Sequence, residues 1–166
     1  VINVQKGIKG TVVMSAELEE TFNCMIASIV PPSWKKVYPS MKPLASWVLD
    51  LIERIAMFQD WATTHRPPVI FWLSAFSFPT GFLTAVLQAA ARNNNVAIDS
   101  LGWGFTVQTL DDVNIAEPPR DGAYIKGIFL EGAGWDKKNV CMVEAPPMQL
   151  TTAMPTILFK PVEVVK

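Results

Sequence analysis

Between Arg66 and Arg92 no residue is charged, and that run limits what the sequence can become. A stretch so apolar leaves water either by crossing a bilayer or by being buried in protein. A membrane-spanning helix needs about 20 consecutive apolar residues. Here Pro67, Pro68, Pro79 and Gly81 interrupt the run, and Ser74, Ser77, Thr80, Thr84 and Gln88 dilute it. A proline inside a helix removes a hydrogen bond and clashes with the preceding turn. A buried strand, a turn and a helix therefore account for the run better than a membrane span. Val69 to Phe76 reads as the strand. Pro79 suits a first helical position, and Phe82, Leu83, Val86, Leu87 and Ala90 follow at helical spacing up to Asn93-Asn94-Asn95.

Helical patterns also precede the run. Ser15 is placed to cap a helix, with Glu17, Glu19 and Glu20 in its first turns, where the helix dipole favours acids. Leu18, Phe22, Met25, Ile26 and Ile29 give its apolar spacing, and Pro31-Pro32 ends it. The clearest amphipathic helix starts near Pro43 and runs to about Thr64. Leu44, Trp47, Val48, Leu51, Ile52, Ile55, Phe58 and Trp61 recur at three and four residues, with Asp50, Glu53, Arg54 and Asp60 on the other side. Trp47, Leu51, Ile55 and Phe58 are its expected core positions. They are expected to bury against Phe71, Trp72, Phe82 and Val86. His65-Arg66 sits where cations suit a helix C-terminus.

After Asn95 the period changes. Leu101 to Gln108 alternates large with small or polar residues, and Ala123 to Leu130 follows a turn at Asp121-Gly122. Val140 to Val143 and Thr156 to Val164 are further strand candidates between Gly, Pro and Asp clusters. The fold class is α+β: an N-terminal helical region, 1–95, then a small antiparallel β-barrel or sheet, 96–166. Val1 is not a start methionine, so the sequence is expected to be part of a longer polypeptide.

Half of the residues are hydrophobic and only 17% are charged, against roughly 25% in ordinary globular domains. Charge this sparse implies that part of the surface is covered by more polypeptide or a partner. The net charge of −1 and the absence of any basic cluster beyond Lys35-Lys36 and Lys137-Lys138 argue against nucleic acid. Cys24 and Cys141 are far apart and no signal peptide precedes them, so they read as reduced thiols of a cytosolic protein.

Motifs that carry chemistry are scarce. His65, the one histidine, fits a helix end better than a general base. No Gly-x-Ser-x-Gly elbow is present. One histidine and two isolated cysteines do not give zinc-ligand spacing. Gly102-Trp103-Gly104 and Gly132-Ala133-Gly134 do not extend to a phosphate-binding loop, and both lie in strand-like sequence where close backbone approach or a bulge explains them. Asp111, Asp112, Asp121, Glu131 and Asp136 form no regular calcium loop and read as solvated turns. The tryptophans at 34, 47, 61, 72, 103 and 135 would fit a carbohydrate or peptide groove, but their spacing makes most of them core. The expectation is no catalytic residue, no cofactor and no metal.

Four blocks stand out: Pro32-Ser-Trp-Lys-Lys-Val-Tyr-Pro-Ser-Met-Lys-Pro-Leu-Ala-Ser-Trp47, Phe71-Trp-Leu-Ser-Ala-Phe-Ser-Phe-Pro-Thr-Gly-Phe-Leu-Thr-Ala-Val-Leu-Gln88 with Ala91-Arg92, Asp121-Gly-Ala-Tyr-Ile-Lys-Gly-Ile-Phe-Leu-Glu-Gly-Ala-Gly-Trp-Asp136, and Met154-Pro-Thr-Ile-Leu-Phe-Lys-Pro161. Together they resemble the C-terminal domain of axonemal dynein heavy chains. They keep the family order and span nearly the whole sequence. Ala75 stands where the family commonly has glycine, and Gly134 where it commonly has arginine.

The resemblance implies a domain that follows a ring of AAA+ modules in the same polypeptide. Such a domain combines a helical region with a small β-barrel lying on one ring face, and has no nucleotide site of its own. It implies a regulatory, non-enzymatic part of an ATP-driven microtubule motor in the cytoskeleton of the cilium or flagellum axoneme. The partners implied are the ring, and through the parent complex dynein intermediate and light chains and microtubules, with no nucleic acid and no membrane. The family usually continues with further strand sequence past the position of Lys166, so a barrel truncated at that end is expected. Contact with the ring is expected around Tyr38, Met41 and Met57. The rival readings are a stand-alone module holding a small ligand on a tryptophan-rich sheet, and a small hydrolase using His65.

Overall fold

The computed structural model describes residues 1–38, 40–109, 112–149 and 151–164, which form two compact units, Val1–His65 and Arg66–Lys166. The expected α+β class holds, with helices first and strands after.

The first unit is helical: α1 is Ile2–Ile8, α2 Ala16–Ile26, α3 Pro32–Lys35 and α4 Leu44–Thr64. Ser15 caps α2 as its sequence predicts, its Oγ accepting from Leu18 N–H at 3.3 Å. The helix stops at Ile26, because Ser28 takes a left-handed φ of 57° that no helix continues through. Ile26 and Ile29, expected on its buried stripe, are exposed. The backbone N–H of Leu44 donates to Ser28 O at 3.0 Å and ties the start of α4 to the turn after α2.

The core of this unit is Val30, Tyr38 and Trp47, with Trp34, Leu44, Val48 and Leu51 packed on it. Trp47 stacks on Tyr38, with ring centroids 4.8 Å apart and planes 7° from parallel, and on Trp34 at 5.9 Å. The Arg54 guanidinium lies 3.9 Å from the Tyr38 ring centroid, a cation–π contact from two turns further along α4. Tyr38 Oη donates to the Trp47 carbonyl at 2.7 Å, so the phenol is satisfied inside the core.

Burial raises the Tyr38 pKa above its usual 10.0; Arg54 opposes the shift and Asp50 adds to it. An unfolded polypeptide releases this proton near pH 10.0, whereas the folded one still holds it. The contribution to stability is therefore intact below that pH and is lost as pH rises through the folded pKa. Denaturant titrations at stepped alkaline pH should show a steeper loss of stability in the parent protein than in Tyr38→Phe. Identical slopes would rule this out. At neutral pH the same variant should lose about 1 kcal/mol, the net value of one hydrogen bond.

The second unit holds α5, Pro79–Asn94, and the strands found among the described residues: β1 Ile70–Trp72, β2 Leu101–Val107, β3 Ala123–Lys126, β4 Phe129–Glu131, β5 Ala133–Asp136, β6 Cys141–Glu144, β7 Thr151–Ala153 and β8 Ile157–Glu163. The four-stranded sheet runs β1-β3-β8-β2, while β4 pairs β7 and β5 pairs β6. The described ladders among β2 to β8 are antiparallel, as expected, whereas β1, for which the sequence specified no partner, joins β3 in parallel. Parallel neighbours need a long crossover, and α5 lies in the segment that supplies it. Pro161 sits beyond Phe159, the last β8 residue paired with β3, where a missing N–H breaks no ladder on that side.

Phe71 and Phe82 approach to 4.7 Å and Phe76 and Phe82 to 4.4 Å, an aromatic cluster joining β1 to α5. Trp103 and Phe105 both meet Phe159 edge-on, because alternate residues of β2 share the face on which Phe159 stands opposite Phe105. Ile125 and Ala123 are the most buried residues of β3. Among the described residues no helix is long and apolar enough to cross a membrane.

Candidate functional site

The residues that sequence logic singled out for chemistry fall in separate places. His65 closes α4 in the left-handed conformation, φ 53°, its N–H donating to Trp61 O. Among the described residues no group of three or more His, Cys, Asp and Glu side chains is arranged to hold a metal. Asp111 lies outside the described residues. Asp112 accepts from the Thr156 hydroxyl, and Asp121 from Asn94 Nδ2 at 3.3 Å. Glu131 is exposed on β4.

Asp136 organises the β5–β6 turn: its carboxylate accepts from Asn139 Nδ2 at 2.7 Å and from the N–H groups of Lys138 and Asn139. Those bonds, the Asn139 side chain first, hold its pKa below the usual carboxylate value. Gly102 and Gly104 lie in β2 beside Val164 and Val162, and Gly134 in β5 approaches the Glu144 carbonyl. Close strand packing accounts for them.

What the first unit does present is an apolar face. α4 has 21 residues, about 30 Å of helix, and the α4 residues that join the buried cluster do not extend past Leu51. Beyond that point the stripe expected inside is open to solvent: Ile52 is 56% exposed, Ile55 54% and Phe58 38%. Leu49 at 61% and Met41 at 87% extend the exposed set. The sequence misplaced these because helical spacing identifies a stripe but not how much of it other segments cover. Of the three contact residues expected, Met41 is exposed and Met57 half-buried, but Tyr38 is 6% exposed and is spent on the core instead. Isolated exposed apolar residues are ordinary, but a run along one helix marks an interaction face.

Residues 1–166 match the family described as the C-terminal domain of the dynein heavy chain. Dynein axonemal heavy chain 2 of Mus musculus is 61% identical over 161 residues, 97% of this sequence and 4% of that protein. The flagellar inner-arm dynein-1-beta heavy chain of Chlamydomonas reinhardtii is 51% identical over 162 residues, 98% of this sequence and 4% of that protein. Dynein axonemal heavy chain 3 of Homo sapiens is 47% identical over 163 residues, again 98% of this sequence and 4% of that protein. The sequence thus corresponds to a small part of each of these relatives.

Proposed function

This protein belongs to the family of dynein heavy-chain domains that lie at the C-terminal end, and from that premise we propose that it serves an axonemal dynein as a non-catalytic domain packed against the AAA+ ring of its own polypeptide. The observation that carries this reading is the exposed apolar run on α4, Ile52, Ile55 and Phe58. Contacts between parts of one polypeptide bury about 600–1,500 Å² and leave modest freedom of motion. A domain bound this way biases the ring only by the difference in its contact energy between ring states, about 1–3 kcal/mol. Its role is then to support the ring and to tune ATP-driven movement on microtubules. The motor works in the cilium or flagellum axoneme, where intermediate and light chains complete the complex. The helical 1–95 and strand-rich 96–166 portions act together as one domain.

The test is the motor carrying Ile52→Asp and Ile55→Asp at the matching positions. Both residues are exposed, so the domain itself should fold. ATPase rate or gliding velocity should change several-fold, with nucleotide hydrolysis retained. A double variant indistinguishable from the parent in both assays would remove the α4 face from the ring contact.

The domain has no phosphate-binding loop in its sequence, so titration calorimetry of the protein with Mg-ATP should give no heat of specific binding. A micromolar isotherm would overturn the non-catalytic reading.

A further inference from the structure

A cavity of about 370 Å³ opens in the second unit between the four-stranded sheet and the two smaller ones. That is within the size range of small-ligand sites. Part of the lining is apolar: Trp135 of β5, Val140 of the β5–β6 turn, and Met154 and Pro155 between β7 and β8. Met154 is 8% exposed and belongs to the core, whereas Val140 is 46% exposed. The lining also includes Lys126, Asp112 and Lys137.

Asp112 is already engaged. One of its oxygens accepts from the buried Thr156 hydroxyl. The other lies 3.9 Å from Lys126 Nζ, an ion pair beyond hydrogen-bond distance. Asp112 therefore holds the Lys126 ammonium at the wall without taking up its donors at full strength. The described residues of the cavity thus bring the Lys126 ammonium and one committed carboxylate together with an aromatic and aliphatic surface.

Val140 adds a second observation. It is β-branched yet sits at φ +53°, a conformation such residues rarely adopt. Glycine would relieve it, so the turn keeps an apolar side chain on the cavity wall against its backbone preference.

The structure assigns this cavity to a carboxylate carried on an aromatic or branched apolar body. The apolar part packs on Trp135, Met154 and Val140, and the carboxylate accepts from Lys126. A free small acid and the C-terminal residue of a peptide share this chemistry.

The experiment is titration of the ¹⁵N-labelled protein, following the Trp135 indole N–H signal identified with Trp135→Phe. The probes are phenylacetate, phenylacetamide, and a short peptide ending in phenylalanine as its acid and as its amide. A saturable shift with phenylacetate, and affinity roughly tenfold lower for the amide, is the expected result for one charge-assisted hydrogen bond. The peptide acid binding as well extends the site to peptide ends; only phenylacetate binding restricts it to small acids. Lys126→Gln should weaken the acid about tenfold, whereas Lys6→Gln, in α1, should not. Lys126 is half exposed at its side chain, so its substitution should leave the fold intact, and the unperturbed signals of the labelled protein verify this. Acid and amide binding equally, no saturable shift, or unchanged affinity in Lys126→Gln would overturn the assignment.

Discussion

Replacing Trp47 by alanine should lower the stability of the Val1–His65 unit by about 3–5 kcal/mol, the range for large aromatic truncations in a core. Trp47 is 2% exposed and lies between Tyr38 and Trp34 in the only cluster of fully buried large residues described there. Its loss takes away both stacked pairs and leaves Tyr38 half unsupported beneath Arg54. Among the described residues of the unit few other side chains are buried to compensate. Urea denaturation followed by far-ultraviolet dichroism should show the helical transition moving to much lower urea, or already complete without it. A shift worth less than about 1 kcal/mol would mean that the cluster repacks freely. Trp47→Phe sharpens the test. The indole Nε1 is buried with no hydrogen-bond partner among the described residues, and a buried unmet donor costs about 1–3 kcal/mol. Phenylalanine removes that penalty, so it should be far milder than alanine.

The local signals in this sequence were legible wherever one residue type has one physical consequence. Ser15 before an acidic turn, Pro79 at a first helical position, and His65 and Asn95 closing their helices all act where the sequence places them. Leu101–Val107 follows from alternation, and Ile157–Glu163 from an apolar run set off by turn residues. Burial was less legible, because spacing specifies a face and not its cover. Ile55 matches the period of Trp47, yet it is 54% exposed where Trp47 is 2% exposed. The parallel β1–β3 pair depends on which strands meet across a long connection, and three residues, Ile70–Trp72, are too few to carry that information. β7, Thr151–Ala153, is equally short and shows no alternation to read. The cavity at Trp135 and Lys126 was invisible for a related reason. It joins residues from separate segments, none of which forms a motif alone.

Gly122→Ala should be the most damaging single change in the second unit. Gly122 ends the Asp121-Gly122 turn at φ +95°, where an L side chain is strained. A Cβ there would lie 2.1 Å from the Phe159 carbonyl oxygen and 3.1 Å from Lys160 Cα. Both obstacles are backbone, so no rotamer change makes room. Phe159 is paired with Ala123 on β3 and with Phe105 on β2, so relief requires the β3–β8 ladder to open in the middle of the four-stranded sheet. Left-handed strain alone costs an alanine about 1–2 kcal/mol; with part of the ladder lost, the total should exceed about 4 kcal/mol, the level at which a point mutation is exceptional. Gly132→Ala separates the two causes. Gly132 has φ +69° but nothing within 4 Å of its would-be Cβ, so it should lose only the conformational part. Hydrogen exchange at the amides of Ala123 to Ile125 should accelerate strongly in Gly122→Ala and little in Gly132→Ala. Equal destabilisation by the two alanines would show that the Phe159 carbonyl yields at no cost, and that β3 and β8 are not held in the tight register that closes this sheet.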